Sequence, residues 1–185
     1  KIVCVTSGGK IGAMAKENGC DVVSIPGGLP PRACFGYSAT QLFYVLEANG
    51  LIGNSHRADL RAAADLLDKE EENTKAESYK IAQKLVGKLP IIYCEARYEG
   101  VAVRLRQQIN ENSKMLCWHH VLPEMNHNEL VGWREKNDNI AVVFIRNNKD
   151  FERNQERMEF TKEVVSQYAS DIVEIYSKGD YDLVR

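Results

Sequence analysis

The sequence predicts an α/β fold with a doubly wound parallel sheet in a three-layer αβα arrangement, and three observations carry that expectation. Short apolar runs alternate with amphipathic helical stretches, the rhythm of βαβ units. Glycine-bearing turns such as Ser7-Gly8-Gly9 follow the runs and open helices. The run Ile140-Ala141-Val142-Val143-Phe144-Ile145 is uninterrupted and largely β-branched, as a strand covered on both faces requires.

Residues 2–6 form a short apolar strand that ends at the first glycine turn, and 10–18 a helix. Residues 21–25 read as a second strand, followed by Pro26-Gly27-Gly28-Leu29-Pro30-Pro31. Over 32–47 the residues Phe35, Leu42, Val45 and Leu46 recur at helical spacing, and Asn49-Gly50 is a stop signal. A charged helical region over 57–84 comes next. Leu60, Ala63, Ala64 and Leu67 make its apolar stripe, and the acidic run over 68–72 reads as a solvated face. Tyr79, Ile81, Ala82 and Leu85 suggest a second helix that ends at Gly87. The rhythm then resumes: strand 89–94, helix 100–112 with Val101, Leu105 and Ile109 on one face, strand 115–121, a short helix or loop over 123–133, strand 140–145, helix 151–168 and strand 172–176. Residues 1–50 are thus expected to be the C-terminal part of one doubly wound domain, 51–88 a helical connection, and 89–185 most of a second domain. The first residue is Lys1, and no helix follows the last strand over 180–185, so both ends read as cut.

Composition narrows the function. Apolar residues are 44% and charged residues 27% of the chain, values that allow an ordinary packed core. The net charge of −2, with mixed signs, argues against a nucleic-acid partner, which needs a basic face. An anionic small molecule stays open, because backbone amides at a helix start bind phosphate without basic excess. Five scattered cysteines, none in a CxxC pair, argue against a disulfide framework or structural zinc and for a reducing cytoplasm. No apolar run reaches the ~20 residues that span a bilayer.

Four places carry polar groups at strand ends or helix starts. Thr6-Ser7-Gly8-Gly9 offers hydroxyls and amides to an anion, or is simply a tight βα turn. Pro30-Pro31-Arg32-Ala33 sets an arginine where a stiff loop enters a helix, although a lone arginine is commonly a surface charge. Glu111 ends a helix and opposes its dipole, a local inconsistency of the kind functional sites show. His127 lies among polar residues, unlike a core histidine; His119-His120 reads as structural. None of the four histidines has an i,i+4 or HxH partner, so no metal site is expected.

The string Leu122-Pro123-Glu124-Met125-Asn126-His127-Asn128-Glu129-Leu130-Val131-Gly132-Trp133 resembles the signature of the bifunctional phosphoglucose/phosphomannose isomerases, members of the sugar isomerase (SIS) superfamily. The resemblance extends to Thr6-Ser7-Gly8-Gly9-Lys10, Pro26-Gly27-Gly28, Pro31-Arg32-Ala33, Gly100-Val101-Ala102 and Asn110-Glu111-Asn112, in the family's order over nearly the whole chain. It implies an SIS-type, flavodoxin-like fold and interconversion of glucose 6-phosphate or mannose 6-phosphate with fructose 6-phosphate, in the cytoplasm. It implies that Glu111 is the base that moves a proton between C1 and C2 through a cis-enediolate. By the same resemblance His127 helps open the sugar ring from the neighbouring subunit of a homodimer, and Arg32 steadies the enediolate. Thr6, Ser7, Gly8 and Gly9 fall in the substrate-binding turn, and no cofactor or metal is implied. The family's main phosphate loop and C-terminal lysine helix have no match here, so the chain is expected to be a fragment, inactive or nearly so alone. The alternatives are a non-catalytic SIS module that binds sugar phosphate for regulation, and another SIS enzyme such as an aminosugar isomerase.

Overall fold

The computed structural model describes residues 1–180 and Leu183; residues 181, 182, 184 and 185, and with them the expectation about the chain's last segment, lie outside the described residues. Two compact units are present, one over Lys1–Leu66 and one over Leu67–Gly179.

The first unit is a βαβ element with helices. Strand β1 (Val3–Thr6), helix α1 (Gly9–Glu17) and strand β2 (Asp21–Ser24) follow in order, and the strands pair in parallel from Val3 opposite Asp21 to Thr6 opposite Ser24. The glycine turn is obligatory: Gly8 and Gly9 have φ of 125° and 67°, a conformation that a side chain resists. A 3₁₀ turn (Pro31–Ala33) precedes α2 (Phe35–Ala48), three residues later than helical spacing alone suggests, because Pro30 and Pro31 stiffen the approach. The end of α2 is tied to the start of α3 (His56–Leu85). Arg57 donates to both oxygens of Glu47, at 2.9 and 2.8 Å, and buried His56 stacks on Phe43 with ring centroids 5.7 Å apart.

Helix α3 is one continuous helix of 30 residues where the sequence suggested two. The reason is that no glycine or proline interrupts residues 56–85. The division between the units falls within it. No helix among the described residues is long and apolar enough to cross a membrane.

The second unit is a doubly wound sheet. Strands β3 (Leu89–Glu95), β4 (Trp118–Leu122), β5 (Asn137–Arg146) and β6 (Ala169–Tyr176) are parallel, in the order β4-β3-β5-β6. Helix α4 (Glu99–Ser113) and the end of α3 cover one face, where Leu105, Ile109, Ile81 and Leu85 pack over Ile92, Cys94, Val143 and Ile145. Helices α5 (Glu124–Asn128) and α6 (Glu152–Val165) lie on the other face, with Met125, Met158 and Val165 packed beside Tyr93, Leu122, Val142 and Phe144. The expected αβα layering is therefore present. Strand β4 begins at Trp118 and not at Met115. Lys114 takes a left-handed turn, φ 57°, and the Asn110 amide donates to the Met115 carbonyl at 2.7 Å, so a side chain holds 115–117 as a loop. His119 and His120 consequently lie inside β4, not at its end.

Candidate active site

In the first unit the candidate groups gather at the C-terminal edge of β1 and β2. Thr6 closes its own turn: its hydroxyl accepts from the Gly8 N–H at 3.1 Å and donates to the Gly8 carbonyl at 3.0 Å. That leaves Ser7 exposed at the tip, just before the N-terminus of α1, whose first turn carries no acidic residue and no side-chain cap. Unclaimed helix-start amides of this kind favour an anion. The second glycine turn lies alongside, since a β-carbon placed on Gly27 would sit 3.6 Å from the Ser7 β-carbon. Arg32 is exposed in the 3₁₀ turn that ends the same loop. The edge thus offers a hydroxyl and backbone amides, and Arg32 follows in the chain five residues beyond Gly27.

In the second unit Glu111 and His127 are kept apart. Glu111 is exposed in the last turn of α4, which runs back from the end of β3 and so ends near the sheet's N-terminal edge. The Lys114 ammonium donates to its carbonyl there. His127 is exposed on α5, which follows the C-terminal end of β4. The five residues of β4 between them rise about 16 Å, so one fold presents the two groups at opposite ends of a strand.

The segment that carries His127 divides its labour. Met125 is fully buried, and Asn126 donates to the Thr161 hydroxyl on α6 at 2.7 Å. Glu129 accepts from the Tyr93 hydroxyl, and its other oxygen lies 2.8 Å from His120 Nδ1. Trp133 Nε1 donates to the Tyr93 oxygen at 3.1 Å. Packing and hydrogen bonding account for these residues; His127 is held between them and left in solvent. The sequence reading took β3 as an apolar strand and missed this network. The available signal was Tyr93 itself, since a buried hydroxyl needs a partner.

A second cluster was also missed. At the sheet's switch point, between the C-terminal ends of β3 and β5, stand Glu95 and Asp150, with one oxygen of each buried and without a hydrogen-bond donor. Asn154 donates to Glu95 at 3.4 Å, the Asn147 N–H to Asp150 at 3.2 Å, and Arg97 lies 3.8 Å from Glu95. Two carboxyls here oppose an anion at the crevice where such sheets usually bind ligand. Burial, then the Glu95 carboxyl, pushes the Asp150 pKa up to about 6. An unfolded aspartate titrates near ~3.9, so the folded state holds this proton more tightly; the associated stability is full below pH ~4 and lost as pH rises through about 6. Between pH 4 and pH 7 the unfolding free energy of the chain should therefore fall more steeply than that of Asp150→Asn. Urea titrations at both pH values measure it, and equal pH slopes for the two proteins contradict it.

Comparison with known proteins agrees with this architecture. Residues 74–185 match the sequence profile described as the bacterial phospho-glucose isomerase C-terminal SIS domain. A bifunctional phosphoglucose/phosphomannose isomerase of Caldicellulosiruptor bescii is 35% identical over 198 residues, covering 100% of this chain and 58% of that protein. A D-glucosamine-6-phosphate 4-epimerase of Sulfolobus acidocaldarius is 33% identical over 148 residues, covering 78% of this chain and 46% of that protein. The chain thus spans about half the length of these relatives. Among solved structures, a glucose-6-phosphate isomerase like protein from Thermus thermophilus superposes with a TM-score of 0.59 at 20% identity, over 95% of this chain and 63% of that one. At that identity the likeness speaks for the fold alone.

Proposed function

This chain belongs to the family of bacterial phosphoglucose isomerase C-terminal SIS domains, and from that premise we propose that the whole protein is a cytoplasmic aldose–ketose isomerase. It interconverts fructose 6-phosphate with glucose 6-phosphate and mannose 6-phosphate. In this reading the Glu111 carboxylate takes a proton from C1 of the open-chain ketose and returns it to C2, while a second proton passes from O1 to O2. The intermediate is a cis-enediolate whose negative charge Arg32 offsets. His127 of a neighbouring subunit assists ring opening, and Thr6, Ser7, Gly8 and Gly9 contribute to the substrate cradle. Proton shuttling by one carboxylate beside one cation needs no redox cofactor and no metal.

The observation that carries the reading is the anchoring of residues 122–133. Met125, Asn126, Glu129 and Trp133 are held by the core or its hydrogen bonds, and the one imidazole among them is presented to solvent. The test is the full-length protein, treated with EDTA and given fructose 6-phosphate in D₂O. Both aldose phosphates should form, with deuterium at C2 in those turnovers in which the proton on Glu111 exchanges with solvent before its return. Activity that EDTA abolishes and zinc restores contradicts the metal-free reading. The epimerase relative favours one further arm: glucosamine 6-phosphate should be left unchanged, and its turnover in place of fructose 6-phosphate would favour an aminosugar reaction.

A further inference from the structure

We propose that Glu129 is a positioning residue for His127, fixing the angle at which the imidazole meets the sugar ring; the proposal rests on the isomerase reading above. Helix α5 has five residues, too few to hold its own conformation, so its direction is set by what anchors its ends. At its start Met125 is sunk in the core and Asn126 is bonded to Thr161. At its end the anchor is Glu129, two residues beyond His127.

The Glu129 carboxylate receives one bond on each oxygen. Tyr93 donates its hydroxyl to Oε1, and His120 Nδ1 lies 2.8 Å from Oε2, as a donor because a carboxylate only accepts. These two donors are a rigid pair: Tyr93 and His120 face each other across neighbouring strands β3 and β4, in register. Trp133 Nε1 donates to the Tyr93 oxygen, which leaves the hydroxyl proton for Glu129. Burial, with the Glu129 carboxylate beside it, also holds the Tyr93 phenol well above its ordinary pKa, which keeps it a donor. Each Glu129 oxygen thus holds a donor fixed on the sheet, and the carboxylate ties the end of α5 to β3 and β4. Loosening this anchor lets the end of α5 rotate, and a displacement of ~1 Å at a catalytic group can cost ~10²-fold in rate.

The test separates ring opening from proton transfer in the full-length protein. 5-Deoxyfructose 6-phosphate lacks the hydroxyl that closes the furanose ring, so it needs no ring opening. Glu129→Ala and Tyr93→Phe should lower kcat on fructose 6-phosphate by about 10-fold to 100-fold, while turnover of the deoxy analogue stays within about twofold. Glu129→Gln, which keeps one acceptor, should recover part of the loss. His127→Ala is the reference and should show the same selectivity for the ring-closed substrate. If His127→Ala discriminates but the Glu129 and Tyr93 variants lose both substrates equally, or lose neither, the positioning role is overturned. If His127→Ala itself does not discriminate, the ring-opening assignment fails and takes this proposal with it.

Discussion

Glu111→Gln in the full-length protein is expected to lower kcat by at least ~10²-fold while KM stays within a few-fold, the floor for losing a placed proton-transfer group. Glutamine keeps the shape and hydrogen-bonding reach of glutamate but cannot take a proton from carbon. Glu111 is exposed, so a change there costs little in folding, typically within ~0.5 kcal/mol. The Lys114 bond in this turn goes to the Glu111 backbone carbonyl, which the substitution leaves in place. Removing a negative charge from a helix C-terminus also relieves an unfavourable dipole interaction, so the melting temperature should hold or rise slightly. Steady-state kinetics and a melting curve on the same sample decide it. A variant that keeps more than about a tenth of the wild-type kcat shows that Glu111 is not the base.

The layered fold was legible because its signals are local. The buried strand expected at 89–94 and the β-branched run at 140–145 became the central strands β3 and β5, and the glycine turn at Ser7-Gly8-Gly9 became the start of α1. Where prediction slipped, a side chain or a missing breaker was responsible. Asn110 holds 115–117 out of the strand, and the unbroken run over 56–85 makes one helix of two expected. The candidate site was legible in part. Glu111, His127 and Arg32 stood out as polar residues at element ends, and each proves to be exposed at such an end. The Tyr93–Glu129–His120 network and the Glu95–Asp150 pair were not, because each joins residues far apart in sequence that only strand order brings together. His56 escaped notice because its partners Phe43 and Glu47 lie on the preceding helix and meet it only through the turn between the two helices.

The second large effect concerns assembly. Glu111 and His127 stand at opposite ends of β4, a strand that rises about 16 Å, and we propose that each active site takes them from different subunits. A two-fold dimer can pair the Glu111 of one subunit with the His127 of the other, twice over, because an isologous interface repeats every contact by symmetry. Two singly inactive proteins then hold complementary halves. Full-length Glu111→Gln has a sound His127 to lend, and full-length His127→Ala has a sound Glu111 to receive it. In a heterodimer one site carries both lesions and the other carries none.

The most direct test of shared sites is therefore the activity of these two inactive proteins after mixing, with subunit exchange verified by native mass spectrometry. Random exchange makes half of the dimers mixed, each with one intact site of two, so activity should rise from background toward about a quarter of wild type. Activity that stays at background although heterodimers are seen to form would show that Glu111 and His127 serve the same subunit, and would contradict the shared site.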